Sequence, residues 1–371
     1  RLIKPIRTLL AGLNPEDSKK LGQAAEKIQK LILEAPFPRG LKQDITAAYQ
    51  RLYRAHSGGM FVAVRSSATA EDLPQASFAG QQATVLNVSG AEAVGKAVQH
   101  CYASLFGGRA IYYRINNKFD HLKVGLAAPV QKMVQSDVSG ILFTLDPVSN
   151  DQTKITIEAG WGLGEAVVSG SITPDRYIVD KEQMAIVDKE INRQGWKIQK
   201  VGRHDRHVTV PKDQQKAPKL TDEQIIELAK LGKKIEDHYK TPQDTEWAIA
   251  EGKIYFVQSR PVTTLKKTIV PVESTKAGET QKFAAGTKIE GKVILHGLAA
   301  SMGIAFGPAK VLRSAKEIDE VGEGDVLVAE MTTPDFVPAM KKAVGIVTDA
   351  GGPTCHAAIV AREMGLHFDL D

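Results

Sequence analysis

The run Asp349-Ala350-Gly351-Gly352-Pro353-Thr354-Cys355-His356-Ala357-Ala358-Ile359-Val360-Ala361-Arg362 reads as a strand end, a glycine turn and the opening of a helix. Thr354 suits the cap of that helix, which puts His356 in the first turn with Ala357 and Ala358 leaving room around it. The positive end of a helix attracts anions and disfavours imidazolium, so a histidine there stays neutral and nucleophilic. Backbone N–H groups without intrahelical partners would hold a phosphate carried on the ring, which suits a phosphoryl acceptor. A lone histidine near a helix start is ordinarily a surface or capping residue, and it is the flanking Gly-Gly-Pro and Ala-Ala that favour the acceptor. No Glu or His stands four residues from His356 and Cys355 has no cysteine at ligand spacing, which argues against a metal there.

A phosphoryl donor site needs cations and N–H donors around a triphosphate and carboxylates for Mg²⁺. Val64-Arg65-Ser66-Ser67-Ala68-Thr69 ends a β-branched run in an arginine and hydroxyl-rich turn suited to phosphate oxygens. From Glu158 to Glu165 a strand runs into Gly160, Gly162 and Gly164, where a backbone can approach a ligand closely or simply turn. Asp244-Thr245-Glu246 puts two carboxylates on one side of a strand. Gln258-Ser259-Arg260-Pro261 ends the partner strand of that hairpin, opposite the carboxylates. Carboxylates facing an arginine make a metal and phosphate site.

The elements that must position these residues are legible in part. Residues 16–33 and 41–56 have apolar side chains at helical spacing, broken by Ala35-Pro36-Phe37-Pro38. Beyond Gly58 come strand-like runs at Phe61 to Val64, Ala83 to Leu86, Val138 to Thr144 and Lys154 to Glu158, with a helix expected over 91–105. Thr221 and Gln224 form a capping box ahead of Ile225, Ile226, Leu228, Ala229, Leu231 and Ile235. Strands at Thr245 to Ala250 and Lys253 to Val257 are joined by a Glu251-Gly252 turn. Lys266 to Lys288 is polar and reads as a linker; after it come short strands at Val293 to His296, Gly307 to Leu312, Asp325 to Ala329 and Gly345 to Thr348.

Length and composition bound the reading. At roughly 150 residues per domain, 371 residues hold two or three units, and 43% hydrophobic with 25% charged residues excludes disordered and coiled-coil classes. No apolar stretch is long enough for a membrane span, and Arg1 to Leu13 lacks a signal-peptide pattern, so a cytoplasmic protein without membrane partners is expected. Cys101 and Cys355 are expected as free thiols. The net charge of +5 is concentrated between Lys189 and Lys219, where nine basic residues stand against three acidic ones. With only Trp196 among them to stack on bases, a solvated basic loop or hairpin is favoured over nucleic-acid binding. His121, His204 and His207 sit in polar stretches and are expected to be solvated.

Gly351 to Glu363 closely resembles the phosphohistidine signature of the phosphoenolpyruvate-utilising enzymes, and Val328 to Met340 is also similar to that family. Thr-Cys-His at 354–356 is more similar to the phosphoenolpyruvate synthase (pyruvate, water dikinase) branch than to pyruvate, phosphate dikinase. With Ser77 to Gln82, Gln131 to Val134 and Ser139 to Thr144, the resemblance covers about residues 50–365 in order. It implies an α+β multidomain fold: an ATP-grasp-like nucleotide-binding domain over 1–265, a linker at 266–288 and a swivelling β/β/α phosphohistidine domain over 289–371. It further implies His356 as the phosphohistidine nucleophile, Arg65, Glu158, Gln258 and Arg260 as nucleotide contacts, Glu246 with Asp244 as Mg²⁺ ligands, and Thr354 as a regulatory phosphorylation site. The implied reaction turns ATP, pyruvate and water into phosphoenolpyruvate, AMP and phosphate. A kinase or phosphatase acting on Thr354 and a homodimer of the full-length protein are the implied partners.

The sequence also departs from that family. No segment of the type Lys-x-x-x-Leu-Gly precedes Arg65, the chain stops at Leu366-His367-Phe368-Asp369-Leu370-Asp371, and the barrel that binds pyruvate and phosphoenolpyruvate is absent, so truncation at both ends is expected. Two other readings follow: a nucleotide-binding or phosphocarrier module without catalysis, and a relative of rifampicin phosphotransferase, in which a drug-binding domain separates modules that are nearly contiguous here.

Overall fold

The structure, a computed structural model, describes residues 2–15, 17–55, 60–69, 83–202, 204–262, 297–301, 305–352, 355–364 and 366–370. It opens with α1 (Ile3–Leu10), α2 (Ser18–Glu34) and α3 (Arg39–Arg54), with the break between α2 and α3 at the expected prolines. Next come β1 (Val62–Arg65), β2 (Ser67–Ala68), β3 (Thr84–Val88), α4 (Ala91–Ser104), α5 (Gly108–Asn116), β4 (Leu126–Ala127) and β5 (Val130–Lys132). A small antiparallel sheet of order β3-β1-β5 packs its Val62 and Val64 against Val94, Val98 and Cys101 of α4.

A six-stranded sheet follows, built from β6 (Val138–Phe143), β7 (Lys154–Trp161), then past α6 (Glu165–Val168) from β8 (Asp175–Asp180) and β9 (Ala185–Glu190). The basic segment forms the hairpin β10 (Trp196–Val201) and β11 (His204–Thr209), as one of its expected forms. After α7 (Asp222–Tyr239), β12 (Gln243–Ala250) and β13 (Lys253–Pro261) complete the sheet in the antiparallel order β13-β12-β6-β7-β8-β9. The capping box is present: Gln224 N donates to Thr221 Oγ1 at 3.3 Å and Thr221 N to Gln224 Oε1 at 3.0 Å. Glu251 and Gly252 both have positive φ, as a tight two-residue hairpin turn requires. One face of this sheet, with Leu142, Ile157, Tyr177 and Trp247, buries against Ile225, Leu228 and Ala229 of α7. The opposite face carries the polar residues considered below.

The third assembly comprises β14 (Leu298–Ser301), β15 (Ala309–Leu312), β16 (Val326–Ala329), α8 (Val337–Met340), β17 (Gly345–Thr348), α9 (His356–Met364) and β18 (His367–Leu370). Its order β14-β18-β17-β16-β15 is parallel except at β14, and its core cluster is its own, from Ala300 to Ala361. The expected linker and the strand at Val293 to His296 lie outside the described residues.

Ala357, Ala358 and Ala361 are fully buried, and their small size lets α9 press onto the sheet. Two expectations are corrected. The basic segment is not all solvated, since Lys200 Nζ lies 3.7 Å from the Phe61 ring centroid and Lys219 is buried. His121 is half-buried and accepts a hydrogen bond from Arg114 Nε at 3.0 Å; burial, then the Arg114 charge, pulls its pKa down.

Lys219 and Asp175 form a pair with both side chains at 0% exposure, Nζ to Oδ1 at 2.7 Å. Lys219 Nζ also donates to the Asn192 carbonyl, while Asp175 accepts from Tyr177 Oη at 2.8 Å, Lys219 N at 3.0 Å and Asn192 N at 2.9 Å. Both charges are thereby matched, so removing one strands the other. Lys219→Met is expected to destabilise the fold by about 3–5 kcal/mol in urea unfolding, and adding Asp175→Leu to recover much of the loss.

Candidate active site

Antiparallel register assembles the candidate residues. Gln258 of β13 stands opposite Glu246 of β12, Glu246 opposite Ile141 of β6, Ile141 opposite Glu158 of β7, and Glu158 opposite Arg176 of β8. Directly opposed residues share a face, so Gln258, Glu246, Glu158 and Arg176 form one row on the side away from α7. Asp244, two residues before Glu246, adds a second row with Arg260 opposite it. A bulge in β13 skips Val257 between the pairs Trp247–Phe256 and Glu246–Gln258, which re-aims the strand's last residues. The Val257 carbonyl is held by Gln131 Nε2 of β5 at 3.2 Å.

Arg65, the last residue of β1, reaches across from the small sheet. Its Nη2 donates to Glu246 Oε2 at 2.7 Å and also to Gln258 Oε1, joining the two sheets. Arg260 holds Asp244, with Nε to Oδ2 at 2.8 Å and Nη2 to Oδ2 at 2.7 Å. The structure thus brings Arg65, Asp244, Glu246, Gln258, Arg260 and Glu158 to one face. Ser66 takes a different role, its hydroxyl donating to the Ala83 carbonyl at 2.8 Å.

The glycine run after Glu158 serves the protein rather than a ligand. Gly162 N donates to Asp137 O at 2.8 Å, Leu163 N to Ile198 O at 2.9 Å and Trp161 N to Gln194 Oε1 at 2.8 Å, so these donors are already used. A Cβ on Gly160 would collide with Ile172 and Val167 at 2.7 and 2.8 Å, and one on Gly162 with the Ile198 carbonyl at 2.4 Å. These glycines admit α6 and the β10–β11 hairpin.

Helix α9 begins at His356, in agreement with the sequence pattern, while Thr354 and Ser77 to Gln82 lie outside the described residues. The turn before α9 abuts the polar face: a Cβ on Gly352 would stand 3.0 Å from Glu158 Oε1. Glu158 itself is 1% exposed. Both cysteines are free and buried; burial pushes the Cys101 thiol up to about 11 and raises Cys355, to which the Glu158 charge adds. A disulfide-exchange reagent at pH 8 is expected to modify neither within minutes and both after unfolding, because the thiolate is the reactive form. Among the described residues no group of three or more His, Cys, Asp or Glu gathers around a common point as a metal cage.

Sequence reasoning missed Arg176, which bonds Asp188 at 3.0 Å and Glu190 at 3.1 Å beside Glu158. The alternation of Asp175-Arg176-Tyr177-Ile178-Val179-Asp180 was the available signal. It missed Gln131 as a tie to the β13 bulge as well.

Residues 1–281 match the family model described as pyruvate phosphate dikinase, AMP/ATP-binding domain. The chain belongs to this family. Residues 321–367 match a second model, PEP-utilising enzyme, mobile domain. Relatives in this family include a probable phosphoenolpyruvate synthase from Methanocaldococcus jannaschii, 51% identical over 95% of this chain and 29% of its own length. The phosphoenolpyruvate synthases of Pyrococcus furiosus and Aquifex aeolicus are 49% and 45% identical, each over 97% of this chain and 44% of its own length. The chain therefore spans less than half the length of these three relatives. No helix among the described residues is long and apolar enough to cross a membrane.

Proposed function

We propose that this chain carries the ATP-binding and phosphohistidine portions of a phosphoenolpyruvate synthase, a cytoplasmic enzyme converting ATP, pyruvate and water into phosphoenolpyruvate, AMP and phosphate. The observation that carries the reading is the meeting of two features. The row built on Arg65, Glu246, Gln258 and Glu158 lies on one sheet face, and the turn leading to His356 packs against that same face. The similarity of both matched segments to nucleotide-binding and mobile-domain families supports the pairing.

In this reading the nucleotide part has an ATP-grasp-like architecture and the part beginning near residue 289 swivels on the 266–288 linker. A ring nitrogen of His356 attacks the β-phosphorus of ATP, the bond from that phosphorus to the α-phosphate oxygen breaks, and AMP leaves. Arg65 and Arg260 balance the charge that develops on the phosphates, each with a fork of donors suited to them. Gln258 orients the same oxygens, and Glu158 lines the nucleotide site. Hydrolysis of the outer phosphate leaves phosphohistidine, which passes its phosphoryl group to pyruvate in the remainder of the enzyme. Asp244 and Glu246 supply hard oxygens to Mg²⁺, which fits an ion that takes one or two carboxylates together with substrate phosphates. When bound, the ion neutralises phosphate charge. Thr354 would act as a switch, because a phosphate two residues from His356 repels the group to be accepted. The full-length enzyme is proposed to be a homodimer, with a kinase or phosphatase acting on Thr354.

The test is intact mass after incubation with Mg-ATP, with AMP and ADP quantified in parallel. An acid-labile mass gain with AMP supports attack at the β-phosphorus. ADP formation, or no gain under any condition, rejects it for this chain.

A further inference from the structure

We infer that residues 169–174, between α6 and β8, are the platform that seats the histidine-bearing unit for the nucleotide half-reaction, and that missing side chains at Gly170 and Gly352 set the depth of the seat, on the reading of His356 as acceptor. Gly352 is buried, and a Cβ there would stand 3.0 Å from Glu158 Oε1 and 3.2 Å from both Cδ and Cγ of Pro174. All three atoms belong to the nucleotide-binding part. From the other side, Gly170 is buried, and a Cβ there would meet Met331 Cε at 2.8 Å and Cys355 Cβ at 2.9 Å. Each part thus offers a glycine where the other offers a side chain. Pro174 fills the space over Gly352, and Met331 the space over Gly170.

The platform is held from below. Gly170 N donates to Val167 O at 3.0 Å, Ile172 is buried among Leu163, Ala166 and Val167, and the Pro174 carbonyl accepts from Asn192 Nδ2 at 2.9 Å. The next residue is Asp175, fixed by its buried bond to Lys219. That ion pair thereby acquires a role beyond stability: it anchors the end of the loop on which the partner unit rests. A second contact lies elsewhere, where Val337 packs against the apolar cluster of Ile6, Leu21, Ile28 and Ile111 and Lys341 Nζ lies 4.9 Å from the Tyr112 ring centroid. One contact would leave a pivot, whereas two fix an orientation.

Group transfer between separately mounted partners depends on sub-ångström placement. A methyl group on Gly352 meets a proline ring that cannot rotate away, so the unit must lift or tilt. Gly352→Ala, Pro174→Ala and the double variant, made in the 371-residue chain, test this. Expected for Gly352→Ala are at least tenfold slower labelling from Mg-ATP, ATP affinity within twofold by calorimetry, and faster amide hydrogen exchange at 169–173 and 331–336. Pro174→Ala, which removes the opposing ring atoms, is expected to restore most of both in the double variant; an effect confined to the histidine-bearing unit would not be rescued from across the contact. A double variant no better than Gly352→Ala, or wild-type exchange in Gly352→Ala, overturns the platform. If the wild-type chain takes no label, the acceptor reading fails, and the exchange pattern alone still decides the seat.

Discussion

His356→Ala is expected to take up no acid-labile mass from Mg-ATP and to form AMP at least 10³-fold more slowly, with nucleotide affinity within twofold of the wild type. On the proposed mechanism the chemistry offers no substitute, because the bond to phosphorus would form on the imidazole itself. The structural background is favourable to a clean result. His356 is the first residue of α9, and Ala357, Ala358 and Ala361 lie in the buried core cluster on which that helix packs. Alanine is also the best helix former, so α9 retains its local preference. The measurements are intact mass at neutral pH, its loss on brief acid treatment, and AMP by chromatography. Label that persists in His356→Ala removes it as the nucleophile and shifts attention to another side chain. Label lost together with the native circular dichroism spectrum would instead report a folding role, which is why both are recorded on one sample.

What could be read ahead of the structure is what short-range chemistry fixes. The capping box needs only Thr221 and Gln224, and the β12–β13 turn only Glu251 and Gly252; both form as read. Two carboxylates at i and i+2 of a strand share a face by the pleat alone, which is why Asp244 and Glu246 could be paired from sequence. Glu158 joining that row is different. It depends on β6 lying between β7 and β12 in one particular register, across 88 residues of chain from Glu158 to Glu246, and a slip of one residue would turn it to the α7 face. Arg65 depends on how the small sheet docks on the large one, for which no local signal exists. Context also decided two local readings. Glycines after Glu158 were open in sequence either to a ligand or to a turn and are filled by α6 and the hairpin, and one lysine of a basic run expected to be solvated is a buried ion. A one-dimensional pattern records which residue types occur, and only the packing decides what occupies the room that small ones leave.

Arg65→Ala is the sharper test of the polar face, because it separates a structural bridge from a catalytic contact. As a bridge, Arg65 joins Glu246 and Gln258 across two sheets, but its side chain is 20% exposed and that of Glu246 25%. A partly hydrated pair of this kind contributes about 1 kcal/mol, so the urea midpoint should move little. As a phosphate contact it acts where negative charge is transferred, and loss of one such preorganised donor costs about 10²–10³ in rate. Arg65→Ala should therefore lower AMP formation at saturating ATP by at least a hundredfold with the fold intact. Arg65→Lys should recover only a fraction, because one ammonium point charge cannot serve Glu246, Gln258 and a phosphate with the planar fork of a guanidinium. Gln258→Glu is the complementary probe: a second carboxylate beside Glu246 would draw Arg65 more firmly to the protein and away from a phosphate, lowering the rate while raising the unfolding midpoint. Rate and stability moving in opposite directions would place Arg65 in competition between its protein partners and the nucleotide. Parallel losses in both, for Arg65→Ala and Gln258→Glu alike, would reduce it to a strut between the sheets.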